Sequence, residues 1–205
     1  MGKEPKGSSA VNEPTTSTQK AGASDPSSEV VAAQTLTAEQ ELDAYRRMVA
    51  EVADAGDGRV IMNRTAEHAA VVISNIFRRA TGSVDILTEQ LFDQIYGTPE
   101  VLNAVDKFLS ADPSRQIRVV AERSIKGSHP FFAAVKKCRP GFNVRLMSSE
   151  LEKITPFHFC VADARNFRFE PDKRKFAAHG RFGVPEIGKE LAQTFERFYA
   201  ASREQ

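Results

Sequence analysis

Phe157-His158-Phe159-Cys160-Val161-Ala162-Asp163 is the stretch from which the rest of the chain is read. Its β-branched and aromatic residues alternate with smaller or polar ones, as in a strand. On a strand, His158, Cys160 and Ala162 share one face, and Phe157, Phe159, Val161 and Asp163 share the other. The aromatic face is predicted to be core, which sets His158 beside a thiol on the opposite face.

Working outward, apolar runs alternate with helical patterns. Ser83–Thr88, Ile117–Ala121 and Asn143–Met147 read as strands, as does the short run Val60–Met62. Helices are predicted around Leu42–Val52, Ala69–Ala80, Pro99–Leu109, Pro130–Val135 and from Pro185 through Phe198. Thr37 with Gln40 resembles a capping box, and Gly56-Asp57-Gly58 ends the helix it opens. Asn63 or Thr65 is the candidate cap of the next helix. Leu91–Tyr96 is ambiguous and reads as helical. A second strand, Phe167–Glu170, follows the His158 strand closely enough for a hairpin. The fold class expected is therefore α/β, with a mixed, mostly parallel sheet flanked by helices.

Residues 1–35 contain no Ile, Leu, Phe or Tyr and are rich in Ser, Thr, Gly, Pro and Ala. Such a segment buries too little apolar surface to offset its ordering entropy, so a disordered N-terminal tail is expected. The folded domain is expected over residues 36–205, opening with a helix over 36–58.

Among 205 residues, 28 Lys+Arg oppose 27 Asp+Glu, which excludes a uniformly basic nucleic-acid wrapper. No apolar run reaches the roughly 18 residues of a bilayer span, and no secretory signal is visible, so a cytoplasmic protein without membrane contact is expected. Two cysteines and four histidines show no metal-ligand spacing. No phosphate-binding or dinucleotide loop occurs, and no cofactor is expected.

The order of these elements resembles the phospholipase D superfamily in its single-domain form, over about Val60 to Ser202. The matching pieces are Val84-Asp85-Ile86-Leu87, the strand Ile117–Glu122, His129-Pro130, the His158 strand and the closing helix with Phe195-Glu196-Arg197-Phe198-Tyr199. The resemblance implies a site with His-x-Lys and, with four residues between, an Asp seven residues after the histidine, two copies meeting across a homodimer. Its histidine attacks phosphorus, its lysine holds phosphate oxygens and its aspartate orients an imidazole. Here only His158 matches. Cys160 stands at the lysine position, Arg165 at the aspartate position, and Asp163 comes two residues early. A neutral thiol cannot replace an ammonium, and losing such a clamp costs on the order of 3–4 kcal/mol of transition-state stabilisation. Arg145, Lys126 and Arg165 are candidates to supply the missing cation.

Between Arg165 and Arg181, the basic residues Arg165, Arg168, Lys173, Arg174, Lys175 and Arg181 interleave with Phe167, Phe169 and Phe176. Only Glu170 and Asp172 oppose them. This composition suits either an anionic groove or a solvated loop over core phenylalanines. Asp85, Glu89 and Glu122 lie at strand ends, either rimming a pocket or pairing with Arg118 and Arg123. Two functions are weighed. The favoured one is a catalytically degenerate binding or assembly module for nucleic acid, another anionic ligand or a protein partner. Its ligand-binding residues would be Arg145, Cys160, Arg165, Arg168 and Lys126. The alternative is a homodimeric phosphodiesterase, a nuclease, with His158 as catalytic nucleophile.

Overall fold

The computed structural model describes residues 36–175 and 177–205, so the expected tail over 1–35 and the side chain of Phe176 lie outside the described residues. Helix α1 spans Ala38–Ala55. Thr37 and Gln40 form the capping box, and Gly56, with φ of 57°, closes the helix. Val49 and Val52 are buried on the expected stripe, but Met48 is 39% exposed because α1 leans on its neighbour along one narrow edge. Strand β1 (Ile61–Asn63) follows, then α2 (Ala66–Arg79), capped by Thr65. Asn63 is thus a fully buried strand residue and not the cap.

The central strands are β2 (Ser83–Thr88), β3 (Gln116–Ala121) and β4 (Arg145–Leu146). Between them run α3 (Asp93–Tyr96), α4 (Pro99–Ala111) and α5 (Pro130–Cys138). The chain continues through α6 (Ser149–Ile154), β5 (His158–Ala162), β6 (Asn166–Glu170), β7 (Ala178–Arg181), α7 (Pro185–Ala201) and β8 (Arg203–Glu204).

All the strands join one open sheet in the order β1-β7-β6-β5-β2-β3-β4-β8. The expected mixed sheet is present, but its balance differs from expectation. Only β2–β3 and β3–β4 are parallel, and the remaining pairings are antiparallel. The reasons are that β5 enters beside β2 antiparallel, and that two strands without apolar alternation, β8 and the Ala-His-Gly-Arg strand β7 that links β1 to the predicted hairpin, add further antiparallel pairings. The predicted strand at Asn143–Met147 shrinks to two paired residues, and Ser148 caps the short helix α6.

Two apolar layers sandwich the sheet. On one face, α2 is buried along nearly its whole inner length and packs with α1, α3 and α4, and α5 packs on α4. Phe77, Phe108 and Phe131 meet edge-on or tilted there. On the other face, Phe159, Val161 and Phe167 pack under Leu191 and Phe195 of α7. The period-two alternation of β5 therefore has both sides buried: Cys160 and Ala162 face α2, and Phe159 and Val161 face α7.

The turn from β5 to β6 fixes the register of this hairpin. Asp163 and Ala164 both have φ of 51°, and Arg165 N–H closes the turn on the Ala162 carbonyl. The Asp163 carboxylate accepts from the backbone N–H groups of Thr81, Gly82 and Ser83 at 2.6–2.9 Å, and also from the Thr81 hydroxyl. One side chain thus ties the hairpin to the start of β2. Gly188 is required where α7 crosses this turn, because a Cβ there would stand 2.3 Å from the Ala164 carbonyl oxygen. Among the described residues, no helix is long and apolar enough to cross a membrane.

Candidate functional site

The first residue of β5 is His158, and it lies where the carboxyl ends of β2, β3 and β6 converge. A cavity of about 210 Å³ opens there, lined by His158, Tyr96, Arg168, Glu170 and Lys173 among others. That volume is equivalent to about seven waters.

Glu122, His158 and Glu170 are delivered by strand ends. Glu122 directly follows β3, and its N–H continues the ladder to the Thr88 carbonyl at 3.0 Å. Its carboxylate Oε1 accepts from His158 Nε2 at 3.1 Å and from Lys173 Nζ at 2.7 Å. On the other side of the ring, Glu170 Oε2 lies 3.7 Å from His158 Nδ1. Glu170 is the direct cross-strand partner of His158 in the β5–β6 register. The imidazole is therefore held between two carboxylates, with His158 and Glu122 side chains only 6% and 3% exposed.

The electrostatics follow from that geometry. Burial alone would pull the His158 pKa down, but the hydrogen bonds and charges of Glu122 and Glu170 outweigh it and raise the pKa. Burial likewise works against the Glu122 carboxylate, yet His158 and Lys173 hold its pKa below the ordinary value. The pair favours imidazolium facing carboxylate. Both ring nitrogens of an imidazolium are donors, so neither carries a lone pair.

Cys160 is 1% exposed, packed against α2, and burial pushes its thiol pKa far up. It is a neutral core residue. Its cross-strand partner, however, is Arg168 on β6. Arg168 is 94% buried, with relative exposure of 6%. Its Nε donates to Asn63 Oδ1 at 3.3 Å, and its Nη1 lies 3.7 Å from Glu170. Arg168 Nη2 and Asn63 Nδ2 are buried without a hydrogen-bond partner.

The other sequence candidates lie elsewhere. Arg145 is bound to the Ser202 hydroxyl and carbonyl, stacks on Tyr199 and pairs with Glu204. Lys126 lines a separate depression with His129 and Asp93. Arg165 sits with Asp163 and Arg79 beyond the far end of β5. The five residues of β5 span about 16 Å. Asp163 is therefore too distant to orient His158. Asp85 pairs with Arg118 through two bonds of 2.7 and 2.9 Å, and Glu89 pairs with Arg123 at 2.7 Å. In the basic stretch, Phe167 is core as its alternation implies, whereas Lys173, Arg174 and Lys175 line the cavity. Glu170, Lys173, Asn63 and Tyr96 were not singled out as site residues in sequence. Only the strand-end position of Glu122 signalled its place.

Residues 65–205 match the family model described as a domain of unknown function, DUF7931. The chain belongs to this family. No curated protein matches the chain. Among solved structures, NucT from Helicobacter pylori, of the phospholipase D family, aligns with TM-score 0.51 and 10% identity, covering 73% of this chain and 100% of that one. TrmBL2, described as an archaeal chromatin protein with a novel mode of DNA binding, aligns with TM-score 0.50 and 9% identity. That alignment covers 82% of this chain and 65% of TrmBL2. Nuc from Salmonella typhimurium, a phospholipase D family member, aligns at TM-score 0.49 with 12% identity over 73% of this chain and 99% of that one. At such identities the likeness is one of fold. The fold of this DUF7931 chain is phospholipase D-like, as the order of its elements implies.

Proposed function

We propose that this DUF7931 protein is a catalytically degenerate phospholipase D-like binding module, whose pocket accepts an anionic group of a nucleic-acid backbone. The observation that carries the reading is the double clamp on His158. A nucleophilic imidazole needs one nitrogen with a free lone pair. Glu122 hydrogen-bonds Nε2, Glu170 stands at ion-pair distance from Nδ1, and together they raise the pKa of the ring and favour its protonated form. Phosphohistidine formation would have to draw on a buried ring whose protonated form is favoured by both carboxylates.

Two further facts support the same reading. The neutral Cys160 thiol occupies the lysine position, and Asp163 is committed to backbone groups of the β2 start. Cationic character comes instead from Arg168, Lys173, Arg174 and Lys175. Cationic groups around a pocket suit phosphate oxygens whether or not a bond is cleaved. A cytoplasmic homodimer that pairs two such pockets is the expected setting.

The test is incubation with labelled single- and double-stranded nucleic acid over a salt series, comparing wild type with His158→Ala. The reading predicts salt-sensitive binding, because phosphate contacts release counterions. It also predicts no cleavage by either protein. Cleavage by the wild type that disappears in the variant would establish the homodimeric phosphodiesterase instead. Binding that is unchanged by salt would remove the phosphate contact.

A further inference from the structure

The cavity at the start of β5 has two chemically different parts, and a backbone phosphate uses only one of them. Its polar part includes His158, Arg168, Glu170 and Lys173. Phe92, Ile95 and Tyr96, at and just before the α3 turn, add an apolar wall. That wall is preformed. The N–H groups of Ile95 and Tyr96 both donate to the Phe92 carbonyl, at 2.9 and 2.8 Å. The Tyr96 ring stands edge-on to Phe131, with centroids 5.4 Å apart. A phosphate group gains nothing from such a wall, whereas a ring or compact alkyl group gains free energy by covering it.

The polar part holds an open set of donors. Arg168 has five side-chain N–H groups, and among the described residues only Nε–H makes a hydrogen bond, to Asn63 Oδ1. Nη1 stands 3.7 Å from Glu170, beyond hydrogen-bond reach, and Nη2 is buried with no partner. Buried donors in native proteins are nearly always paired, so a guanidinium this deeply buried on a cavity wall calls for an acceptor. Glu122 does not supply it, because its carboxylate oxygen already serves His158 and Lys173.

We infer that this cavity binds a small organic acid, with one carboxylate on the Arg168 guanidinium and a ring or compact apolar group against Phe92, Ile95 and Tyr96. A guanidinium presents paired N–H groups in a plane, which match the two oxygens of a carboxylate. An apolar lining with a few polar groups that fix orientation is the usual make-up of a small-molecule site. The volume of about 210 Å³, equivalent to about seven waters, gives room for one ring and its carboxylate. The inference goes beyond the nucleic-acid reading and does not depend on it. Acid and backbone phosphate would use the same cationic end, so each excludes the other.

The experiment is an NMR titration of the full-length protein, free of nucleic acid, with benzoate, benzamide, acetate and phenyl phosphate. Benzamide keeps the ring without the charge, acetate keeps the carboxylate without the ring, and phenyl phosphate changes the acid. Benzoate is expected to bind at least tenfold more tightly than benzamide or acetate, shifting the Arg168 Nε–H and Tyr96 ring resonances. Arg168→Gln is expected to abolish benzoate binding. Since that variant risks unfolding, the ligand series on the wild type decides by itself. Benzamide binding as tightly as benzoate overturns the anchor at Arg168, and acetate binding as tightly overturns the apolar wall. Phenyl phosphate binding more tightly than benzoate overturns the carboxylate as the acid group. Single-stranded DNA that binds where benzoate does not removes this inference and leaves the nucleic-acid reading standing. Benzoate that binds where DNA does not upholds the inference and removes that reading.

Discussion

Glu122→Gln removes one charge from the centre of the pocket while keeping the shape of the side chain. In the native protein that carboxylate serves His158 at 3.1 Å and Lys173 at 2.7 Å, and it is only 3% exposed. Both donors use the same oxygen, Oε1, which Gln keeps as a neutral carbonyl acceptor, so the loss is one of charge. His158, 6% exposed, then keeps only Glu170 at 3.7 Å as a charged partner, whereas Lys173, 23% exposed, can turn toward water. Breaking one side of a buried ion pair costs about 3–5 kcal/mol. The partial escape of Lys173 places this case near 3 kcal/mol. For a folded domain of this size, that lowers Tm by about 6–12 °C. Urea unfolding gives the free energy, and a proton NMR titration follows His158. With Glu122 neutralised, burial regains the upper hand and the His158 pKa falls. A loss under about 1 kcal/mol together with an unmoved His158 pKa would refute the clamp.

Stability should also follow pH with two limbs. The raised His158 pKa contributes stability that is full below its unfolded value near 6.5 and is lost as pH rises through the folded value. The lowered Glu122 pKa contributes stability present above about 4.5 and lost as pH falls through its folded value, so urea midpoints should peak between these limbs and flatten in Glu122→Gln. Asp163→Ala removes the charged acceptor of three backbone N–H groups, two of them open to water, and should cost roughly 3 kcal/mol in thermal unfolding, with nucleic-acid binding unchanged. Thiol labelling of the native protein should modify Cys138 and spare Cys160, with both reacting in denaturant; a native Cys160 that reacts as fast as Cys138 would contradict its burial.

Most of the layered architecture was legible from periodicity. The capping box at Thr37, the stop at Gly56 and the alternation of β5 are local signals, and each is realised in the structure. What escaped was long-range. β7 has no apolar pattern because Ala178 and Gly180 are small by necessity, Gly180 lying against Val72. It adds two antiparallel pairings to those of β5 with β2 and β6 and of β8 with β4, so the sheet is mostly antiparallel. In the site, the missing lysine and aspartate were visible in the one-dimensional motif. Their consequences were not, because Arg168 reaches the pocket only through the β5–β6 register, and Glu170 through the same pairing. Arg145 and Arg165 were attractive only as nearby cations in sequence; Arg145 is bound at the β4–β8 edge, and Arg165 lies beyond the far end of β5. Asn63 looked like a helix cap because asparagine is common there. Its burial beside Arg168 depends on β1 joining the sheet through β7.

The central claim is that His158 is held protonated at both nitrogens and so cannot attack phosphorus. Long-range nitrogen–proton correlation of the wild-type His158 ring at pH 7 tests it directly. The account predicts that both Nδ1 and Nε2 resonate as protonated nitrogens of an imidazolium. A shift at either nitrogen typical of an unprotonated, lone-pair-bearing atom would contradict it and return His158 to the list of competent nucleophiles.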